Sequence, residues 1–222
     1  MNSQLPTRRE LNLLPIALVF EASLGIAGIF FGWLLSLPRE NLFAERHHNL
    51  LAVFQSLGVG LLATLPMIAM LLLIYFKPIG PLQKLSDDVK NQVAPLFQGL
   101  SIPALALISL LAGVGEELLC RWCIQGTLQI WITGPQGWLS ALLIASAIFG
   151  AFHWLNVHYA IYACFAGLYL GSLWIWTGDL VVPITVHAVY DFSALLLLKF
   201  HATDVSNSAD ANPTKAESEN LN

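Results

Sequence analysis

Six side chains could do acid, base and charge chemistry from within apolar sequence: Glu116, Glu117, Arg121, His153, His187 and Asp191. They fall in three separate apolar stretches. Ionisable groups at membrane depth are costly, so they face a bundle interior and mark functional sites. Carboxylates, imidazoles and a guanidinium together make up the parts that hydrolysis requires: a base, orienting partners and groups to receive an oxyanion.

The first stretch reads Gly113-Val114-Gly115-Glu116-Glu117-Leu118-Leu119-Cys120-Arg121. Adjacent carboxylates on a helix point about 100° apart and cannot share one job. Glu117 and Arg121 stand at i, i+4, the spacing of an ion pair along one helix surface. A structural pair that holds helices together is half of the reading for these two. Glu116 is left on another face without a local partner, as suits a general base or acid. The second stretch, Phe149-Gly150-Ala151-Phe152-His153, carries a single histidine. Taken alone, such a residue is more often a satisfied core group than a catalyst. The third stretch changes that balance, because His187 and Asp191 share a helix face at i, i+4. Such a pair orients an imidazole, binds a metal jointly, or presents two polar groups to a developing oxyanion. His47, His48, His158 and His201 lie in loops or at span edges and need no special role.

Membrane helices must position these groups. Of 222 residues, 56% are hydrophobic and 11% charged, against roughly 25% charged in ordinary soluble domains. A spanning helix needs about 20 apolar residues. Apolar runs at 11–37, 51–76, 100–131, 138–155, 160–176 and 180–200 predict an all-α polytopic bundle of about six transmembrane helices around an interior polar cavity. The six spans leave no room for a separate soluble domain, so residues 1–200 form one transmembrane unit. The tail at 201–222 is rich in Ser, Asn, Asp and Glu and reads as disordered. The first run follows Arg8 and Arg9 but is too long for a signal-peptide core, so it reads as a retained helix. Glu21 within it reads as a partly shielded structural residue near the helix end.

Between Lys77 and Gln98 lies the one sizeable polar connection. There Leu82, Leu85, Val89 and Val93 recur at helical spacing, the pattern of an amphipathic helix at the interface; a linker is the default role, admission of substrate the sharper one. With the N-terminus cytoplasmic, Arg8, Arg9, Lys77, Lys84, Lys90, Lys199 and Lys215 fall inside and Arg39 and Arg46 outside. That asymmetry predicts both termini in the cytoplasm. The net charge of −4 marks no partner, and no nucleic acid is expected; lipid and a membrane-associated peptide or protein are. Cys120, Cys123 and Cys164 read as small groups packed between helices. In an ideal helix Cys120 and Cys123 share a face with Glu116, which would put them on the same cavity. At ~1.5 Å per residue, His153 and His187 fall at different depths, so one common site requires offset or broken helices. Gly113, Gly115 and Gly150 would allow close approach, and Pro183 would displace the last helix.

Glu-Glu-x-x-x-Arg at 116–121, Phe-x-x-x-His at 149–153 and His-x-x-x-Asp at 187–191 resemble, in order, the motifs of the CPBP intramembrane proteases. That family includes the type II CAAX prenyl endopeptidases and the bacteriocin-processing or immunity-associated Abi proteins. The resemblance covers roughly residues 100–195. It implies a helical membrane bundle with an interior cavity in which a peptide bond is cleaved. Carried over to this sequence, Glu116 would activate the water and His153 would assist it. His187 and Asp191 would stabilise the oxyanion, while Glu117 and Arg121 would hold the site together.

One departure bears on the substrate. The CAAX-processing branch carries Asn where this chain has Asp191. An amide donates a hydrogen bond to an oxyanion, whereas an ionised carboxylate repels it. Asp191 could instead be protonated, orient His187 or ligate a metal, and the departure weakens the CAAX-specific assignment. Glu116, His153, His187 and Asp191 contain the ligand types of a hydrolytic zinc site. However, the His-Glu-x-x-His pattern is absent, which favours a metal-free glutamic mechanism. The expected function is an intramembrane endopeptidase acting on a membrane-associated or prenylated substrate. A non-proteolytic scaffold or immunity-type factor with the same fold is the alternative. A proton-coupled transporter ranks lower, because no repeat symmetry is present.

Overall fold

A computed structural model describes residues 8–38, 49–77 and 79–211. The described residues are helical throughout, without strands. In chain order the helices are α1 (Arg8–Leu34), α2 (Leu50–Phe76), α3 (Pro81–Asp88), α4 (Ala94–Phe97), α5 (Ile102–Glu117), α6 (Gly126–Trp131), α7 (Gly137–Phe152), α8 (Val157–Thr177) and α9 (Val181–Ala211). A π-helical turn at Val89–Val93 joins α3 to α4, and a longer one at Leu118–Gln125 joins α5 to α6.

Five stretches are long and apolar enough to cross a membrane: Leu13–Leu34, Leu50–Phe76, Ile102–Trp131, Val157–Thr177 and Val181–Phe200. Their outward faces carry exposed Ile, Leu, Phe and Trp side chains, the surface that lipid covers. The protein is an integral multi-pass membrane protein. The run expected as a sixth crossing at 138–155 is α7, of 16 residues. At 1.5 Å per residue it is about 24 Å long, short of a ~30 Å hydrocarbon core. His153 caps its C-terminal end. The last helix continues past Phe200 to Ala211, and the rest of the polar tail lies outside the described residues.

α9 lies at the centre, packed on both α5 and α2, while α1 packs on α5 and α7 on α8. Small residues set these contacts, as in other membrane bundles. A Cβ on Gly113 would come within 2.9 Å of the Ala188 backbone on α9, and one on Gly115 within 2.3 Å of the Glu21 carbonyl on α1. A Cβ on Gly150 would meet the Ala160 carbonyl of α8 at 2.6 Å. All three glycines thus mark backbone-to-backbone approach. Pro183 stands in the first turn of α9, where its missing N–H costs nothing. Asp179 caps that turn by accepting from the Val181 N–H at 3.0 Å, and Ser56 of α2 donates to its other oxygen.

Candidate active site

The π-helical turn after Glu117 determines how the first motif presents its groups. Such turns occur mostly as interruptions of α-helices at functional sites. Here it begins at Leu118, one residue after the adjacent carboxylates. Glu117 points inward and is fully buried, with Arg121, also fully buried, as its partner. The Arg121 Nε–H donates to Glu117 Oε2 at 2.9 Å. Glu117 Oε1 lies 2.9 Å from His187 Nδ1. A carboxylate only accepts, so Nδ1 carries the hydrogen in this contact. One glutamate therefore ties α5, the π turn and α9 together. This contact to His187 was not legible as spacing, because 70 residues separate the two.

Glu116 points the other way, into a cavity of about 310 Å³. Its Oε2 lies 3.4 Å from His153 Nε2. The other ring nitrogen, Nδ1, lies 2.9 Å from the Phe149 carbonyl, one of the acceptors left unpaired where α7 ends. A carbonyl also only accepts, so Nδ1–H is the donor and Nε2 faces Glu116. His187 and Asp191 line the same cavity, with His187 Nε2 3.5 Å from Asp191 Oδ2. Phe149 sits among all of these groups. Its ring stacks on His153 at 4.4 Å, meets the edge of His187 at 5.9 Å and lies 4.8 Å from the Arg121 guanidinium.

All six residues singled out in the sequence thus converge, four on the cavity and the Glu117–Arg121 pair behind it. Among the described residues no three His, Cys, Asp or Glu side chains converge closely enough to hold one metal ion. The zinc set Glu116, His153, His187 and Asp191 divides into two pairs, and each imidazole already has one nitrogen committed. Cys120 and Cys123 are buried, and neither lines the cavity. The widened turn of the π segment breaks the ideal-helix phase that would have aligned them with Glu116. Cys120 packs instead with Phe149 and Ala163. His158 stands at the start of α8, apart from the cavity wall; His47 and His48 lie outside the described residues.

Other cavity residues carried weaker signals. Glu21 of α1 lines the wall with Glu116; a carboxylate inside a span is itself the signal that could have found it. Tyr162 and Tyr190 join hydroxyls at 2.6 Å across α8 and α9. The segment from α3 to α4 supplies Leu85, Val89, Lys90 and Phe97 to the wall. The Asn156 side-chain amide donates to Asp88 at 2.9 Å and fastens that segment to the turn beside His153.

Residues 98–193 match the family described as type II CAAX prenyl endopeptidase Rce1-like. The matched segment holds all six site residues; α1 and α2 lie before it. A protein of Bacillus subtilis (strain 168) described as uncharacterized protein YpbD is 31% identical over 102 residues. That match spans 43% of this chain and 46% of YpbD, just under half of either. No solved structure matches the chain.

Proposed function

We propose that this protein is an intramembrane endopeptidase that hydrolyses a peptide bond in a membrane-associated or prenylated substrate. The observation that carries the reading is the meeting of Glu116 and His153 in an interior cavity of the bundle, beside a His187 held from behind by Glu117. Glu116 acts as the general base. It takes a proton from a water placed between its carboxylate and His153 Nε2, and the water oxygen adds to the scissile carbonyl carbon. The negative charge then moves to the carbonyl oxygen. His187, held at Nδ1 by Glu117 and steadied by the longer contact to Asp191, turns Nε2 toward that oxygen to stabilise its charge. Collapse breaks the C–N bond as the nitrogen takes up a proton, and the amine leaves.

Asp191 orients His187 in this scheme. A contact with Nε2 at 3.5 Å is that of a holding partner, and a charged carboxylate would repel the oxyanion it was placed to receive. Arg121 neutralises Glu117, so the buried pair fixes His187 without taking part in the chemistry. No step is routed through zinc. The likeness of residues 98–193 to the Rce1-like family supports a peptide as the substrate and a prenylated C-terminus as one form of it. The basic-residue asymmetry supports cytoplasmic termini, with the α3–α4 segment on the same side.

The test is cleavage of a panel of farnesylated and transmembrane peptides by purified protein in proteoliposomes, read by mass spectrometry. Wild type should cut at a defined bond, and Glu116→Ala and His187→Ala should not. Equal cleavage by all three proteins would reject the site.

A further inference from the structure

α1 lies outside the segment that matches the family, yet it places a third carboxylate in the cavity. Glu21 is flanked by apolar residues on a spanning helix, and its placement is tightly determined. Its own carbonyl sits where a Cβ on Gly115 would be, at 2.3 Å, so the α1 backbone rests directly on the residue before Glu116. Two turns further along α1, a Cβ on Gly28 would strike the Leu118 backbone at 2.8 Å. Two glycine contacts thus fix α1 against the start of the π turn, and the Glu21 side chain enters the cavity beside Glu116. Its Oε2 is buried and finds no hydrogen-bond partner among the described residues. The groups in electrostatic reach are the carboxylates of Glu116 and Asp191 and the imidazoles of His153 and His187.

Glu21 is half-buried, and no side chain among the described residues hydrogen-bonds its buried Oε2, so no fixed counter-ion engages that oxygen. A carboxyl placed in this way is free to carry a proton into the cavity. The scheme above, on which this inference rests, leaves one role open: an amine leaves a tetrahedral intermediate only with a proton on its nitrogen. We propose that Glu21 is that proton donor, a catalytic residue that α1 adds to the family's set. The steps balance. Water gives one proton to Glu116 and its oxygen to the carbonyl carbon. The C–N bond breaks as the nitrogen takes the proton of Glu21. The proton on Glu116 then passes to Glu21, and both carboxyls regain their starting states.

The experiment uses the full chain in proteoliposomes and two substrates. One is a farnesylated peptide with its scissile amide; the other has the same acyl half ending in a 4-nitrophenyl ester, whose phenolate leaves without a proton. Glu21→Gln should lower kcat on the amide by about 100-fold or more, with KM little changed, and lose at least about tenfold less on the ester. Glu21→Asp should recover part of the amide rate. Equal losses on the two substrates would make Glu21 structural, and an unchanged amide rate would remove it from the mechanism. Glu116→Gln, measured alongside, should slow both substrates. If Glu116→Gln slows both and Glu21→Gln slows neither, only the Glu21 assignment falls. If wild type cleaves neither, or Glu116→Gln cleaves both at full rate, the hydrolase reading falls and takes Glu21 with it.

Discussion

Replacing Glu117 with Gln should cost stability, whereas the same change at Glu116 should not. Both glutamates sit side by side, but their surroundings differ. Glu117 and Arg121 have fully buried side chains, and Glu117 is the one hydrogen-bond partner of the guanidinium among the described residues. Removing one member of such a pair leaves an uncompensated charge and costs about 3–5 kcal/mol. Gln keeps the shape and one acceptor oxygen, so its loss belongs at the low end, ~3 kcal/mol, or roughly 150-fold in the unfolding equilibrium. Glu116 faces the cavity with 12% of its side chain exposed and a 3.4 Å contact to His153. Its neutralisation should change stability by less than ~1 kcal/mol, the range of partly solvated pairs. The assay is equilibrium unfolding in mixed micelles, followed by tryptophan fluorescence. A double variant, Glu117→Leu with Arg121→Met, should be more stable than Glu117→Leu alone, because it removes the stranded charge. Glu117→Gln as stable as wild type, or Glu116→Gln losing as much as Glu117→Gln, would refute the division of the two carboxylates.

Three further outcomes follow from the geometry. Asp191→Asn should slow cleavage about tenfold, the ~1.4 kcal/mol of one charge-assisted orienting contact, in a kcat/KM assay; a faster enzyme would instead make residue 191 an oxyanion donor. Gly115→Ala should destabilise by about 1–3 kcal/mol in the same unfolding assay, since its Cβ meets the Glu21 carbonyl, while Gly58→Ala, with nothing within 4 Å, should not. A chelator such as EDTA should leave the cleavage rate unchanged, and loss that zinc restores would require a metal in the mechanism.

The bundle was legible because lipid imposes long apolar runs, and five of the six expected spans recur as helices of spanning length. α7 is shorter than the apolar run that predicted it, because the helix ends at Phe152 while apolar residues continue to Leu155. In the site, i, i+4 spacing gave the Glu117–Arg121 pair directly. Different directions for Glu116 and Glu117, about 100° apart, followed from helix geometry alone. What spacing could not give was tertiary: His187 on Glu117, and His153 on Glu116, join helices far apart in sequence. The π turn was also hidden, since no local residue pattern marks it, and it moved Cys120 and Cys123 off the cavity face. Glu21 was visible but undervalued, because its partners come from other helices and its own neighbours are all apolar.

The central claim is that Glu116 activates the water. Its most direct measurement is the single-turnover cleavage rate of Glu116→Gln against wild type, on protein shown to unfold at the same midpoint. A fall of about 100-fold or more with unchanged stability is the expected result. Cleavage at the wild-type rate by the folded variant would contradict the account.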